Sequence, residues 1–379
     1  MMILVNGIIT GLLDQTITNS IELETGHIKI FPRGYSEKSN LFPTDRYINN
    51  YRESEEAINS VKGVLVTCPR IKAEGIIQGG SGSTRVIING IDFERDSKIR
   101  NLEKRIVEGE YFTDDTSSII VSRTLARSIN LEVNSEVFLD TIASDGEPVS
   151  LLVVARAFYK TGFPSYDSSM IFLPLSQAQS LLKMESGDIT EIVILIDNPE
   201  EITDMTTSIS STLKGYGLEH EVLNWEQLSP ELVQFAEMER SISFLFLSIV
   251  IVVAVIGILN TMLMAVYERF KEIGVMAAFG YKPRNIVSLF MLEGLIIGVI
   301  GVLVGCIVGI GIVYYLSQVG ITFTGADVVA FMEPHVYPRL SIGNVVFPCV
   351  FAIGVALVAA LYPAYKASRV EPVEVLRHV

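Results

Sequence analysis

The sequence predicts an α-helical membrane protein that carries an α+β extracytoplasmic domain. Three observations predict it: uncharged runs long enough to cross a bilayer, a sharp division of charge along the chain, and β-branched segments alternating with helical ones in the polar part. Hydrophobic residues make up 49% of the 379 and charged residues 19%, with a mean hydropathy of +0.42. That composition excludes an ordinary soluble enzyme, a disordered chain and a porin-type barrel. Residues 1–240 carry a net charge of −15 and residues 241–379 a net of +1, so an acidic soluble part is joined to a nearly neutral membrane part. Nothing is basic enough to track a phosphate backbone, and no nucleic-acid partner is expected.

Met1–Leu13 is apolar but too short to span as a helix, and it contains Asn6 and Thr10. It lacks the basic start and small-residue cleavage site of a signal peptide. It is read as the outer half of a first transmembrane helix whose inner half is missing, with an interfacial anchor as the alternative. Asp14–Thr25 is a polar helical stretch, and Gly26–Phe31 is a short strand. Asp45–Val61 has helical periodicity through Tyr47, Ile48, Tyr51, Ala57 and Ile58. Gly63–Pro69 and Arg85–Ile91 are β-branched strands, and Gly75–Ser83 between them, with four glycines and two serines, is a flexible hairpin or loop.

Leu151–Ala157, Ser169–Leu173, Ile189–Ile196 and Glu219–Asn224 are further strands, and Pro174–Leu182 and Pro199–Leu213 are helices opened by proline. Two βαβ-like units result, 26–69 and 189–224, with a strand-rich insert at about 95–185 between them. No nucleophile–base pair or acidic dyad stands out, so no catalytic residue is assigned. Asp114-Asp115 and Glu200-Glu201 are adjacent pairs whose side chains point apart. The acidic residues of the domain read as a solvated face.

Trp225–Arg240 is amphipathic through Leu228, Leu232, Phe235 and Met238, and reads as one helix with the span that follows. The uncharged runs are Ser241–Tyr267, Gly294–Ala326 and Leu340–Tyr365. Gly294, Gly298, Gly301, Gly305 and Gly309 repeat at G-x-x-x-G spacing, which lets helix backbones approach closely. No ionisable group stands at mid-membrane, as a channel or proton pump would require. Arg269, Lys271, Lys282 and Arg284 follow the first run, and Lys366, Arg369 and Arg377 the last. Only Arg339 lies between the second and third runs, beside Asp327 and Glu333. The positive-inside rule therefore puts the 268–285 loop and the tail in the cytoplasm and residues 14–240 outside.

Cys68 has no partner within the soluble part, Cys306 and Cys349 fall inside the apolar runs, and no Cys/His metal spacing occurs. No metal and no cofactor is expected. His27, His220, His335 and His378 are scattered and read as ordinary turn or surface residues.

The loop Tyr267–Gly280 (YERFKEIGVMAAFG) pairs a charged turn, with Glu268 and Glu272 at i,i+4 spacing, with an exposed small apolar turn, Ile273, Met276, Ala277 and Phe279. Such a helix suits docking into a groove on a partner protein. It resembles the E-R-x-x-E-I-G-x-x-x-A-x-G signature of the FtsX/MacB/LolC–LolE permease family, membrane subunits of mechanotransmitting ABC transporters. Pro363–Arg377 (PAYKASRVEPVEVLR) is similar to the family's P-A-x-x-A-x-x-x-x-P-x-x-x-L-R ending. Gly26-His27-Ile28, Val86–Asp92 and Pro174–Gln179 resemble the lipoprotein-releasing branch.

The resemblance implies four helices, the first truncated here, and a two-lobed outer domain. The layout it implies is a first half-helix at 1–13, the outer MacB-like core domain at 14–240, spans at 241–267, 286–318 and 340–366, a coupling helix at 268–285, an outer loop at 319–339 and a cytoplasmic tail at 367–379. It implies an ATPase-contacting role for Glu268, Arg269, Glu272, Ile273, Gly274, Ala277 and Gly280. It implies a multi-pass plasma-membrane subunit paired with a second copy or paralogue, in contact with lipid, and lipoprotein cargo drawn from the outer leaflet. The chain has no Gly-Lys dipeptide and so no P-loop; a separate ABC ATPase subunit is expected to hydrolyse ATP, and this subunit is expected to be non-catalytic. Peptide or drug export of the MacB type, control of a cell-wall hydrolase of the FtsX type and a passive tethered module are the alternatives.

Overall fold

A computed structural model of the chain describes residues 1–35, 44–80, 82–112, 118–322 and 335–369. The pair Asp114-Asp115, most of the 319–339 loop, the tail beyond Arg369 and His378 lie outside the described residues. The chain divides into two compact units. One is α/β and comprises Thr16–Val233; the other is helical and comprises Met1–Gln15, Gln234–Thr322 and the described residues from His335 on.

The elements run in the order α1 (Met2–Ser20), a π turn (Ile21–Thr25), β1 (Ile28–Pro32), α2 (Tyr51–Asn59), β2 (Val64–Gly79), β3 (Gly82–Ile91), α3 (Phe93–Arg100), a 3₁₀ turn (Leu102–Arg105), β4 (Ile106–Gly109), β5 (Ser118–Ser122), α4 (Arg123–Ser128), β6 (Glu136–Ile142), β7 (Pro148–Tyr159), α5 (Pro164–Asp167), β8 (Met170–Pro174), α6 (Leu175–Leu181), β9 (Glu191–Ile196), α7 (Ile202–Gly215), β10 (His220–Asn224), α8 (Trp225–Leu228), α9 (Pro230–Glu268), α10 (Phe270–Ala278), α11 (Pro283–Val319), the two-residue strands β11 (Ile321–Thr322) and β12 (His335–Val336), and α12 (Ile342–Ser368).

The α/β unit has two parts sharing one strand. In the first, the order is β10-β1-β9-β2, with every neighbouring pair antiparallel. β1 and β2 therefore run parallel with β9 between them, and β9 and β10 run parallel with β1 between them. The helices α2 and α7 make the two crossovers, so the two βαβ units interlock. In the second part β2, β3, β8, β5, β7 and β6 pair in turn and close on themselves as a six-stranded barrel. Its interior is filled by Ile77, Ile88, Ile119, Val137, Leu139, Val153, Ile171 and Leu173, all buried. Closure removes the free edges that an open sheet would present.

Three expectations need correction here, and one is narrowed. Of the two readings of 75–83, hairpin or loop, the hairpin holds: Gly75–Gly79 belongs to β2, which pairs continuously with β3 from Arg70↔Ile91 to Gly79↔Gly82. A Cβ at Gly75 would lie 2.7 Å from Ile88 Cδ1 and 2.9 Å from the carbonyl oxygen of Asp140, so its glycine marks the crossing of three strands. The insert thus begins within β2, not at about 95. Helix α2 begins at Tyr51, not Asp45, because Ile48 bridges to Ile189 and Asn50 takes a left-handed conformation. The stretch Trp225–Arg240 is not one helix: Ser229 (φ −130°, ψ 63°) separates α8 from α9.

Three helices of the helical unit, Pro230–Glu268, Pro283–Val319 and Ile342–Ser368, are long and apolar enough to cross a membrane. Helix α11 starts well before the uncharged run Gly294–Ala326 and stops at Gly320 (φ +75°). Where Met1–Leu13 reads as a half-helix, α1 is helical from Met2 to Ser20, adding the polar residues after Leu13. Its Gly7 carbonyl accepts from the Arg339 N–H (3.0 Å), Thr10 Oγ1 accepts from Asn344 (2.8 Å), and Asp14 pairs with Arg339.

Candidate functional site

The most specific sequence signal falls on α10. Helix α9 ends at Glu268 and Arg269 leaves helical geometry (φ −98°, ψ 17°). Glu268 and Glu272 therefore stand on different helices rather than as an i,i+4 pair on one. At the other end, Tyr281 N–H donates to the Met276 carbonyl (3.1 Å), and Gly280 at φ +85° reverses the chain as only glycine does readily. Pro283 then occupies the first turn of α11, where a missing N–H costs nothing.

The helix is held from beneath. Ile273 is buried with Met262, Val266, Ile286, Phe290, Ala360, Ala364 and Ala367, which come from α9, α11 and α12. Gly274 is buried as well. This corrects the reading of Ile273 as an exposed docking residue. Glu268, Arg269, Lys271, Glu272, Val275, Phe279 and Gly280 are exposed, with Phe279 84% accessible. A cleft of about 540 Å³ opens beside them, lined by Arg269, Glu272, Val275, Met276, Leu289 and Phe290 among others. Arg269 Nη1 lies 3.8 Å from Glu293 Oε2 across its rim. Phe279, Val275 and Leu289, which no motif position marks, complete an apolar surface edged by both signs of charge.

The glycine series divides in two. A Cβ on Gly294 would meet Ala360 Cβ at 2.5 Å, and one on Gly298 would meet Ala356 Cβ at 2.9 Å, so these two set the approach of α11 to α12. Gly309 packs against Ile3 of α1. Gly301 and Gly305 meet nothing within 4 Å; they line an apolar cavity of about 370 Å³ with Met2, Ile258, Phe351 and Val355. On its wall Cys306 and Cys349, which the sequence leaves unrelated, bring their Sγ atoms to 2.9 Å.

The α/β unit holds a second, unexpected cluster of charge. Arg70 donates to Asp96 (Nε–Oδ1 2.9 Å), Arg100 stands 3.7 Å from the other Asp96 oxygen and over the Phe172 ring, and Lys29 pairs with Glu191 at 3.1 Å. All five charged residues are buried. Burial alone would raise the Glu191 carboxyl, but Lys29, Lys72 and Arg70 outweigh it and bring it down to about 2. Lys72 likewise holds Glu24 below the usual carboxylate range. His27 and His220 are structural: His27 Nδ1 accepts from the Ile196 N–H (3.0 Å), and His220 bonds Ser54. Among the described residues no group of three His, Cys, Asp or Glu side chains is placed to hold a metal.

A domain of interlocked βαβ units and a barrel, joined to long apolar helices with a short amphipathic helix at one turn, defines a membrane permease. The MacB-like periplasmic core domain family matches residues 1–212, and the FtsX-like permease C-terminal family matches residues 244–372. The chain belongs to this family of ABC transporter permeases. It is similar to the lipoprotein-releasing system transmembrane protein LolC of Xylella fastidiosa, 21% identical over 83% of this chain and 78% of that protein. It is also similar to the macrolide export ATP-binding/permease protein MacB of Hyphomonas neptunium, 24% identical over 86% of this chain and 48% of that protein. The crystal structure of the periplasmic region of MacB from Actinobacillus actinomycetemcomitans is 15% identical, with a TM-score of 0.39 over 57% of this chain and 97% of that one.

Proposed function

We propose that this permease couples ATP hydrolysis by a separate cytoplasmic ATPase to movement of its extracytoplasmic domain, and that the work releases lipoproteins from the outer leaflet. The observation that carries the reading is α10: a helix fixed from beneath by Ile273, presenting Glu268, Arg269, Glu272 and Phe279 outward beside an apolar cleft. Such a surface fits a groove on a partner. Glu268, Arg269, Glu272, Ala277 and Gly280 then form or shape the docking surface, while Ile273 and Gly274 seat it. The basic residues after α9 and at the end of α12 support an orientation with these ends in the cytoplasm and residues 14–240 outside the plasma membrane. A second copy or a paralogue completes the assembly.

The LolC relative supports lipoprotein cargo. The MacB relative supports a second reading, export of a peptide or drug by the same movement. The assay that separates them is ATP hydrolysis by the purified complex with a triacylated lipoprotein and with the same protein stripped of its lipids. Lipoprotein release predicts stimulation by the acylated form alone. Equal rates with both would move the reading to export, and purification without any ATPase would overturn the coupling role of α10.

A further inference from the structure

Helices α11 and α12 meet in one antiparallel register. A Cβ on Gly294 would lie 2.5 Å from the Cβ of Ala360, and a Cβ on Gly298 would lie 2.9 Å from that of Ala356. Each step forward along α11 is thus matched by an equal step back along α12. Carried further, the same register sets Cys306 opposite Cys349, and their Sγ atoms are 2.9 Å apart. The small residues of the seam bring the two backbones close, and the thiols meet because of it.

The Sγ atoms need to approach by under about 1 Å to reach the roughly 2.05 Å of a disulfide. The backbone beside each sulfur leaves room for that movement. Pro348, the residue before Cys349, withholds one backbone hydrogen bond from α12. A Cβ on Gly305, the residue before Cys306, would meet nothing within 4 Å.

Both cysteines are half-buried and stand on the wall of the apolar cavity of about 370 Å³. Met2, Ile258, Gly301 and Phe351 line it too, and among the described residues no charged side chain does. An oxidant that reaches the thiols from this cavity must be uncharged and apolar, and must accept two electrons. A charged soluble disulfide fails the first condition. A lipid-soluble quinone meets both.

Cys68 serves as the contrast. It is fully buried in the α/β unit with its Sγ 3.7 Å from Asp96 Oδ1. Burial and that carboxylate push its thiol up to about 12, so it is held unreactive.

We propose that Cys306 and Cys349 are a redox-active dithiol, which a quinone of the lipid phase oxidises from the cavity to a disulfide joining α11 to α12. Two S–H bonds break and one S–S bond forms. The two electrons and two protons pass to the quinone oxygens, which leave as a quinol. A dithiol reductant reverses the step by thiol–disulfide exchange.

The test uses the full chain in lipid nanodiscs, reduced and then freed of reductant under argon, with decylubiquinone as the probe. Free thiols are counted after denaturation by the gel shift of a maleimide–polyethylene glycol. The chain should lose two of its three thiols, with one quinol formed per chain, and dithiothreitol should restore them. Cys306→Ser and Cys349→Ser should each abolish the loss, while Cys68→Ala should keep it. Gly301→Leu fills the cavity, so it should slow oxidation by the quinone at least about fivefold yet leave cross-linking by copper–phenanthroline as it is in the parent. A parent chain that keeps all three thiols would overturn the proposal, as would bonds between chains in place of the bond within one. Oxidation by glutathione disulfide as fast as by the quinone, or a Gly301→Leu chain oxidised as fast as the parent, would overturn the quinone and its route.

Discussion

The two units use apolar residues in opposite ways. The α/β unit buries its large side chains: Ile77, Ile88, Leu139, Ile171 and Leu173 fill the barrel, and β-branched residues dominate. The helical unit buries large ones such as Ile286 and Phe290 around Ile273, but packs small ones along the seam of α11 and α12 and displays most of the large. Its inner seams are Gly294, Gly298, Ala356, Ala360, Ala364 and Ala367, while Phe244, Val253 and Ile307 stay exposed. Water drives the first arrangement, since apolar area removed from it stabilises by about 25 cal/mol per Å². Lipid gives no such gain, so helices meet where small residues let backbones approach. Charge follows the same division. Between two helices of the helical unit an ion pair such as Arg269–Glu293 is partly exposed, whereas the α/β unit seals Arg70, Asp96 and Arg100 inside.

The contrast can be broken most severely at the sealed charges. Arg70→Ala leaves Asp96 buried beside a single distant guanidinium, and should cost about 3–5 kcal/mol, read as a lowered melting temperature of the purified chain. Acid tests the same cluster more gently. The Glu191 carboxyl is held at about 2 when folded against an ordinary 4.5, so its contribution is complete above about 4.5 and is lost as pH falls toward 2. The loss should reach roughly 3 kcal/mol, and Glu191→Gln should start less stable at neutral pH but lack this part of the acid slope in a series of melting curves.

In the helical unit the sensitive positions are small ones. Gly294→Leu and Gly298→Leu should each cost about 1–3 kcal/mol by wedging α11 from α12, whereas Gly301→Leu and Gly305→Leu should be far milder. The native thiols report it: copper–phenanthroline should cross-link Cys306 to Cys349 in the parent and in the Gly301 variant, and much less in the Gly294 variant. The smallest effect on stability belongs to the docking surface. Phe279→Ala should shift stability by under about 0.5 kcal/mol, because the ring is 84% accessible, yet it should weaken retention of the ATPase on co-purification. Unchanged retention would remove Phe279 from that surface.

The helical unit was the easier one to read. Uncharged runs mark its long helices, and Gly280 and Pro283 punctuate α10, because these signals are local. Most strands were legible by their β-branched residues. The glycines of 75–83 mark the hairpin between β2 and β3, but Gly75 serves a strand crossing, a fact that depends on Asp140 far along the chain. Ile273 read as exposed because its cover comes from three other helices. The buried cluster was invisible for the same reason: Glu24, Lys29, Arg70, Asp96, Arg100 and Glu191 look like scattered surface charges until the fold collects them.

Strand β1 carries a consequence for how the protein is made. Its neighbours are β9 and β10, so Ile28 waits for Ile194 and Asn224. On the proposed orientation, the first strand crosses the membrane long before either partner exists. Until then it is an unpaired, mostly apolar segment, Ile-Lys-Ile-Phe. Closing so long a loop is slow relative to local pairing, and β2 must also find β9 before the barrel it shares is anchored. The β10-β1-β9-β2 part should therefore be completed only after residue 224 has crossed, whereas the barrel strands, all within residues 64–174, can pair earlier. A chain stalled earlier would be a substrate for proteases and holdase chaperones.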